Sequence, residues 1–207
     1  MTTSAEMGTG QSPIDISDWA ASDAHAPMFD YVSNANRVER AQGFVIFHFD
    51  RGSQLLLGDA SYRLLQFHWH TPAEHTIEGD EFAAEVHFVH VNEDDQLLVV
   101  GTVYRLGEAD EGLEQIIAAT PPSGEEGDVV PRLSAAHHVP DSDGFFHYVG
   151  SLTAAPFSEP VQWYVARTIR TISQRQVEQL EMLAGGANAR PLQDLNHRTI
   201  LCVGCAI

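Results

Sequence analysis

Short runs of aromatic and β-branched residues recur along the chain, and turn signals separate them, which limits the possible folds more than any other feature. The turn signals include GDAS (58–61), NEDD (92–95) and PDSDG (140–144). The runs are FVIFHF (44–49), YRLLQFHWH (62–70), FAAEVHFVHV (82–91), LLVVGTVYRL (97–106) and VQWYVA (161–166). Such composition at such spacing is typical of strands. We therefore expect a mainly β fold.

Two segments have the pattern of helices instead, at 110–119 and 173–183. Ser173 is a suitable N-cap for the second helix, and the paired glycines at 185–186 mark its end. The chain has 207 residues, of which 43% are hydrophobic, and shows no repeat or linker. This length suits one domain, so residues 1–207 are predicted to form a single unit with a few short helices. The segment 121–128 is the expected mobile loop.

The charge of the chain is strongly negative. Eleven basic residues, all arginine, face 29 acidic ones, for a net charge of -18. A nucleic-acid partner is not expected, because the protein's field would repel phosphate groups. Such an acidic surface suits a salt-rich environment, where screening weakens self-repulsion.

No apolar run reaches the roughly 18 residues of a membrane helix, and the first ten residues do not have the pattern of a secretory signal. A cytoplasmic location is therefore favoured, with a periplasmic or extracellular one if the N-terminus has been trimmed. The only cysteines, Cys202 and Cys205, are expected to be two thiols on a terminal strand or tail rather than a redox motif or a second metal site.

Three histidines are placed to hold a metal ion. In an extended strand alternate side chains share a face, so His68 and His70 point the same way. If the run at 82–91 pairs with theirs as an antiparallel neighbour, His87 can lie beside them. Three imidazoles on one face are typical of an open zinc site.

Two polar residues support this interpretation. Gln66 and Glu85 each stand two residues before a histidine of the set, on the same strand face. Imidazoles that bind metals usually donate their second N–H to such a group. Glu85 also needs a partner, because a buried carboxylate on an otherwise apolar strand is costly.

Five stretches of the chain match one known family in their order along the sequence. They are QSPIDI (11–16), YRLLQFHWHTPAEHTIEGDEFAAEVHFVH (62–90), LLVVGTVYRLGE (97–108), YVGSLTAAPFSEPVQWYV (148–165) and ARPLQDLNHRTI (189–200). Together they resemble the alpha-class carbonic anhydrases, in the form found in bacteria. The resemblance implies a large, twisted, mostly antiparallel sheet that carries a conical cavity with Zn2+ at its floor. It also implies reversible hydration of CO2 to bicarbonate and a proton by zinc-bound hydroxide.

The resemblance also implies roles for individual residues. His68, His70 and His87 match the zinc ligands, with Gln66 and Glu85 as their hydrogen-bond partners. Thr153 matches the residue that accepts a hydrogen bond from the hydroxide and passes its own proton toward a buried glutamate, here Glu74. The residues that match the apolar wall for CO2 are Val89, Val99, Leu152, Val161 and Trp163. Sulfonamides and other anions are the expected inhibitors, bound beside the backbone N–H of Thr153.

Some positions depart from the family's pattern. Ala154 replaces a usual threonine, and Phe157 stands where many bacterial members have a disulfide-bonded cysteine. Gly43, or Phe44 if the alignment shifts by one, falls where fast members carry a histidine that transfers protons. His48 lies further along the same strand and is the candidate for a displaced shuttle.

Two alternatives remain open. HWHTPAE also fits the HxHxxxE signature of cupin-type enzymes, in which Glu74 would bind iron or manganese directly. The second alternative is a non-catalytic binding module on the same fold, because fold does not determine function. Of the remaining histidines, His75 is expected to be buried and hydrogen-bonded, and the others to be structural or exposed.

Overall fold

The computed structural model describes residues 8–41, 43–121, 133–137, 139 and 142–205. The strands are β1 (Asp15–Ile16), β2 (Ala20–Ser22), β3 (Met28–Asp30), β4 (Ala35–Ala41), β5 (Phe44–Phe49), β6 (Gln54–Leu57), β7 (Ala60–His70), β8 (Thr76–Ile77), β9 (Ala84–Val91), β10 (Leu97–Leu106), β11 (Phe145–Gly150), β12 (Val161–Ala166), β13 (Arg170–Ile172) and β14 (Leu201–Val203). The helices are α1 (Glu111–Ala119) and α2 (Gln174–Ala184), with a short 3-10 helix at Ala135–His137. The predicted mainly β fold is confirmed. The loop predicted at 121–128 lies outside the described residues, apart from its first residue.

Within the described ranges, twelve of the strands form one sheet. Its main path is β2-β14-β11-β12-β10-β9-β7-β5-β4, with β13 beside β10, β6 beside β7 and β3 beside β6. Most neighbouring strands are antiparallel, as predicted, but β10 runs parallel to both β12 and β13, and β14 runs parallel to β2. β1 and β8 form a separate parallel pair.

The sheet has an apolar cluster on each face. One cluster includes Phe67, Trp69 and Phe88, and the other includes Val89 and Trp163. Phe88 and Val89 are neighbours in β9 and belong to opposite clusters, because successive side chains of a strand point to opposite faces. β9 is therefore buried on both faces at the centre of the sheet. This burial keeps water away from the polar residues that β9 carries.

The two helices pack against each other beside the sheet. Asp110 caps α1 by accepting a hydrogen bond from the N–H of Leu113 at 2.9 Å. Ser173 and Gln176 form a capping box at the start of α2, and Gly185 ends it with a φ of 88°. The indole N–H of Trp69 donates to the carbonyl of Leu180 at 3.2 Å. This hydrogen bond ties α2 to the strand segment that carries His68 and His70.

The cysteines differ from the prediction. Cys202 and Cys205 are joined in a disulfide, with 5.9 Å between their Cα atoms, so the expectation of two free thiols is wrong. Gly204 lies between them at a φ of 69°, a backbone conformation that glycine adopts readily. The chain can therefore turn sharply enough to bring the two side chains together. In the described part of the chain, no helix has the length and apolar character needed to cross a membrane.

Candidate metal centre

Antiparallel pairing of β7 and β9 brings the three predicted histidines together. His68 lies directly opposite His87 in the register. The ring centroids are 5.1 Å apart for His68 and His70, 5.3 Å for His68 and His87, and 4.5 Å for His70 and His87. One nitrogen from each ring lies within 4.8 Å of the others. The three side chains therefore converge on one point.

In each ring, one nitrogen contacts the protein and the other remains for a ligand. Nδ1 of His68 lies 2.9 Å from Oε1 of Gln66, and Nε2 of His87 lies 2.9 Å from Oε1 of Glu85, as the sequence predicted. Nδ1 of His70 faces the carbonyl oxygen of Asn188 at 3.4 Å. The nitrogens that remain are Nε2 of His68, Nε2 of His70 and Nδ1 of His87.

The donor set fits a zinc ion. Nε2 of His70 is buried and has no hydrogen-bond partner, which is costly unless a ligand occupies the position it faces. Burial and the charge of His87 lower the pKa of His68 to about 3, and burial with the same charge holds the pKa of His70 well below its usual value. Both rings are thus neutral, which is the form that binds metals. Three neutral imidazoles are a typical catalytic zinc set.

Glu85 anchors the third ligand. Its Oε2 accepts hydrogen bonds from the backbone N–H groups of Glu74 and His75, at 3.0 and 2.9 Å, and its Oε1 contacts Nδ1 of His75 at 2.8 Å. Burial tends to raise the pKa of Glu85, but the charges of His75 and His87 and the hydrogen bonds to them hold it well below the usual value. The buried carboxylate of Glu85 is therefore stabilised by several hydrogen-bond partners rather than by one.

Burial of His87 lowers its pKa, but the charge of Glu85, a hydrogen bond to it and the charge of Glu74 together raise it above the usual value. A proton thus competes with a metal for this ring more strongly than for the other two. The Glu85 carboxylate, which also orients the ring of His87, causes this raised pKa.

A second group of possible metal ligands comprises His75, Glu85 and His87. Nε2 of His75 contacts the hydroxyl of Tyr148 at 2.7 Å, and that hydroxyl donates to Oγ of Ser12 at 2.8 Å. The polar atoms of His75 are thus used within the protein. This group is a hydrogen-bond network behind the metal centre, and it confirms the buried role predicted for His75.

Glu74 lies on the other side of the ligand set. Its Oε1 accepts a hydrogen bond from the backbone N–H of Arg190 at 2.9 Å and lies 3.3 Å from Nδ1 of His70. The Thr153 side chain lies near enough to Glu74 to lower the pKa of the carboxyl, as the resemblance implied, while Oε2 of Glu74 is buried without a hydrogen-bond partner of ordinary geometry. Burial raises the pKa of Glu74, although the charge of His87 and the hydrogen bonds from Thr153 and Arg190 counteract part of this effect.

A cavity of about 120 Å³ opens in front of the imidazoles. Its lining is Phe44, Ile46, Gln66, His68, His87, Val89, Val99, Leu152, Thr153, Ala154 and Trp163. Four of the five residues predicted for the apolar wall therefore line the cavity. Val161 is the exception, because it is buried within the cluster that includes Val89 and Trp163 and supports the wall from behind.

Phe44 lines the cavity, whereas Gly43, the other position that the resemblance matched to a proton-transferring histidine, is not among the lining residues. The ring of Phe44 lies edge-on to the rings of His68 and His70, with centroid distances of 5.5 and 5.3 Å. Ile46, two residues later on β5, lines the cavity as well. Alternation of apolar residues along β5 could have indicated one face of the strand, but not which structure that face covers.

His48 lies on β5 beyond this lining. It is paired with Gln66 in the register, and its Nε2 contacts Oε2 of Glu39 at 2.8 Å. Burial lowers the pKa of His48, with Arg37 acting in the same direction and Glu39 opposing. The imidazole is thus engaged with Glu39, and the candidate role of His48 as a displaced shuttle is untested.

Two further residues position the ligands, and the sequence analysis missed both. Asn188 accepts from the N–H of Thr71 and donates to the carbonyl of Trp69, so it fixes the end of β7 next to His70. Gly101 lies opposite His87 on β10, and a Cβ there would be 2.7 Å from Oε1 of Glu85. A glycine inside a strand signals this kind of close approach. No local signal pointed to Asn188.

Comparison with known proteins agrees with this geometry. The model of the eukaryotic-type carbonic anhydrase family matches residues 2–204. The carbonic anhydrase of Neisseria gonorrhoeae is 31% identical over 195 residues, which cover 94% of this chain and 77% of that protein.

Two solved structures have nearly the same fold. A hyperthermostable carbonic anhydrase from an active hydrothermal vent chimney is similar with a TM-score of 0.88 and 32% identity, covering 95% of this chain and 88% of that one. The alpha-carbonic anhydrase of Thermovibrio ammonificans, solved with the inhibitor sulfanilamide, has a TM-score of 0.87 and 30% identity, covering 94% and 87%. The chain therefore belongs to the eukaryotic-type, or alpha-class, carbonic anhydrase family.

Proposed function

We propose that this protein catalyses the reversible hydration of CO2 to bicarbonate and a proton, with Zn2+ held by His68, His70 and His87. The observation that carries the proposal is the convergence of three imidazole nitrogens at an apolar cavity that Thr153 also lines. Bound there, Zn2+ would supply a Lewis acid and lower the pKa of a water molecule from 15.7 to about 7. Carbonic anhydrase is itself the source of that value.

The cavity wall suits the substrate. CO2 is neutral and has no net dipole, so it is held best by an apolar surface. Val89, Val99, Leu152 and Trp163 provide this surface, and Phe44 and Ile46 extend it. A wall without charged groups also binds the charged product weakly, which favours its release.

Thr153 and Glu74 set the direction of attack. When the Thr153 hydroxyl donates a hydrogen bond to the Glu74 carboxylate, the Thr153 oxygen can only accept a hydrogen bond from the attacking group. The attacking oxygen must therefore direct its proton toward Thr153, which leaves a lone pair free to face the carbon of CO2. Fixed orientation of this kind accounts for a large part of many enzymatic rate enhancements.

Gln66, Glu85 and Asn188 hold the three imidazoles. Each contacts the nitrogen that does not face the cavity and so fixes the orientation of its ring. Such partners also fix the tautomer and raise the basicity of the ligand nitrogen.

The alternatives raised by the sequence are less well supported. A cupin-type site would require Glu74 among the ligands, but Glu74 is absent from the ligand groups found in the described residues, and it bonds to Arg190 and Thr153 instead. A non-catalytic binding module would not need the Thr153–Glu74 pair, whereas catalysis does.

Stopped-flow measurement of CO2 hydration tests the proposal. We expect activity in zinc-loaded protein, its loss after zinc is removed with a chelator, and its return when zinc is added back. A sulfonamide should inhibit the loaded protein by competing for the cavity. Zinc-loaded protein that binds the sulfonamide but does not hydrate CO2 would show that this is a binding module.

A further inference from the structure

Thr153 lies in a loop whose position the fold must fix. The loop of residues 151–160 joins β11 to β12 and contains no regular structure. Its start is well anchored, since the N–H of Ser12 donates to Oγ of Ser151 at 2.9 Å and the indole of Trp163 donates to the carbonyl of Ser151 at 2.9 Å. Its outer part is exposed, and Phe157 there adopts a φ of 61°. Bulky residues rarely adopt such a φ unless their surroundings hold them there.

One side chain contacts this outer part from the segment that also holds Glu74. The guanidinium carbon of Arg190 lies 3.9 Å from the centroid of the Phe157 ring. Nη1 of Arg190 donates to the carbonyl of Ser12 at 2.6 Å. A guanidinium stacked on an aromatic ring at this distance is a favourable cation–π contact. The Arg190 side chain thus joins the outer loop to the segment that anchors the start of the loop.

The backbone of Arg190 makes a separate contact with the catalytic pair. Its N–H donates to Oε1 of Glu74 at 2.9 Å. One residue therefore holds the carboxylate through its backbone and the loop with Thr153 through its side chain. The distance between Glu74 and Thr153 determines whether their hydrogen bond forms. Arg190 contacts Glu74 directly, and it contacts the loop that carries Thr153.

We infer that Arg190 is a positioning residue for the reaction: its guanidinium, stacked on Phe157, holds the 151–160 loop where Thr153 meets Glu74. The expected effect on the reaction rate rests on the proposed function, whereas the expected effect on the position of the loop does not. Arg190 is not among the cavity-lining residues, and its side chain acts through the loop.

The side chain can be tested apart from the backbone. Arg190→Ala removes the guanidinium but keeps the N–H that bonds to Glu74. We expect kcat/KM for CO2 to fall by about 10- to 100-fold, as for other small misplacements of catalytic groups. Zinc affinity should not change, because the guanidinium lies on the Phe157 ring and the carbonyl of Ser12. In a Thr153→Ala background, Arg190→Ala should have little further effect.

Hydrogen–deuterium exchange gives a readout independent of activity. Arg190→Ala should accelerate amide exchange in peptides that cover residues 151–160. Phe157→Leu should have the same effect, because it keeps apolar bulk but removes the aromatic face. Arg170→Ala is the matched control, since Arg170 also lies over an aromatic ring, that of Tyr104 at 5.6 Å, but contacts neither the loop nor Glu74 in the described structure.

The outcomes separate the two proposals. If the wild-type protein with zinc does not hydrate CO2, the proposed function fails, and the exchange data alone decide the role of Arg190. Unchanged exchange in Arg190→Ala would overturn the inference, as would an equal loss of kcat/KM in the presence and absence of Thr153. If Arg190→Ala does not fold, Phe157→Leu with normal exchange and normal kcat/KM would also overturn it.

Discussion

Gly101 leaves space for Glu85: a Cβ on this glycine would lie 2.7 Å from Oε1 of the carboxylate and 3.7 Å from Cδ2 of His87. Because that oxygen contacts Nε2 of His87, the absence of a side chain on β10 is part of the metal centre. The close approach explains why a central, apolar strand contains a glycine at this position.

Gly101→Ala should therefore weaken zinc binding, because the methyl group displaces Glu85 and loosens His87. We expect a loss of about 10- to 100-fold in affinity, the usual range for damage to a ligand's hydrogen-bond partner. Competition with a chromophoric chelator measures it. Gly107→Ala is the control, since its Cβ would crowd Thr171 at 2.9 Å, away from the metal centre. Equal zinc affinity in the two variants would contradict this role for Gly101.

Replacement of His87 should impair zinc binding more severely than replacement of Glu85. His87→Ala removes one of three ligands and should abolish tight zinc binding. Glu85→Ala removes only a partner of that ligand, so zinc should stay bound with affinity lower by about 10- to 100-fold. Zinc content after dialysis and chelator competition distinguish the two variants. Complete loss in both would mean that Glu85 does more than orient the ring.

Thr153→Ala should lower turnover and spare the metal. In the proposed mechanism the hydroxyl orients the attacking oxygen, and it contacts no ligand ring in the described structure, so we expect kcat/KM to fall by on the order of 100-fold with zinc content unchanged. Thr153→Ser keeps the hydroxyl and should retain most of the rate. A Thr153→Ala variant with the full rate would remove Thr153 from the mechanism.

Proton release should limit the rate at low buffer concentration. Among the described residues, the cavity lining contains no titratable side chain besides His68 and His87, which are proposed metal ligands. Added imidazole buffer should therefore increase turnover. Burial keeps the pKa of His48 below its usual value, so its ring is neutral at pH 7 and gains a proton only as the pH falls.

His48 has the contacts of a packed residue, and His48→Ala should leave turnover unchanged at low buffer. Phe44→His, which places an imidazole in the lining, should reduce the dependence on buffer. A rate that is already maximal at low buffer and falls in His48→Ala would identify His48 as the shuttle and contradict this prediction.

Reduction of the Cys202–Cys205 disulfide should destabilise the fold only modestly. Three positions separate the cysteines, so the closed loop is short, and chain entropy accounts for about 2 kcal/mol. Denaturant unfolding with and without a reductant measures the difference, and Cys202→Ala/Cys205→Ala, which should not respond to the reductant, is the control. The cytoplasmic location expected from the sequence stays a prediction. No change in stability on reduction would show that the bond does not constrain the chain.

The sequence by itself determined the local geometry of the site. Alternation along a strand is enough to put His68 and His70 on one face and to place Gln66 and Glu85 beside their histidines. Turn signals and β-rich composition predicted the bounds of β5, β10 and β12. The residue pattern predicted both helices, and Ser173 and the glycines at 185–186 predicted the ends of the second. These features depend on residues that are close together in the chain, so a local sequence pattern is enough to predict them.

Tertiary structure decided the rest, because it depends on contacts between distant residues. The register of β7 and β9 places His87 opposite His68, and a shift by one residue would turn it to the other face. Asn188 reaches His70 across 118 positions, and Arg190 reaches Glu74 across 116. Val161 proved to support the cavity wall instead of lining it, because packing of both faces of the sheet determines which apolar side chains meet the open space.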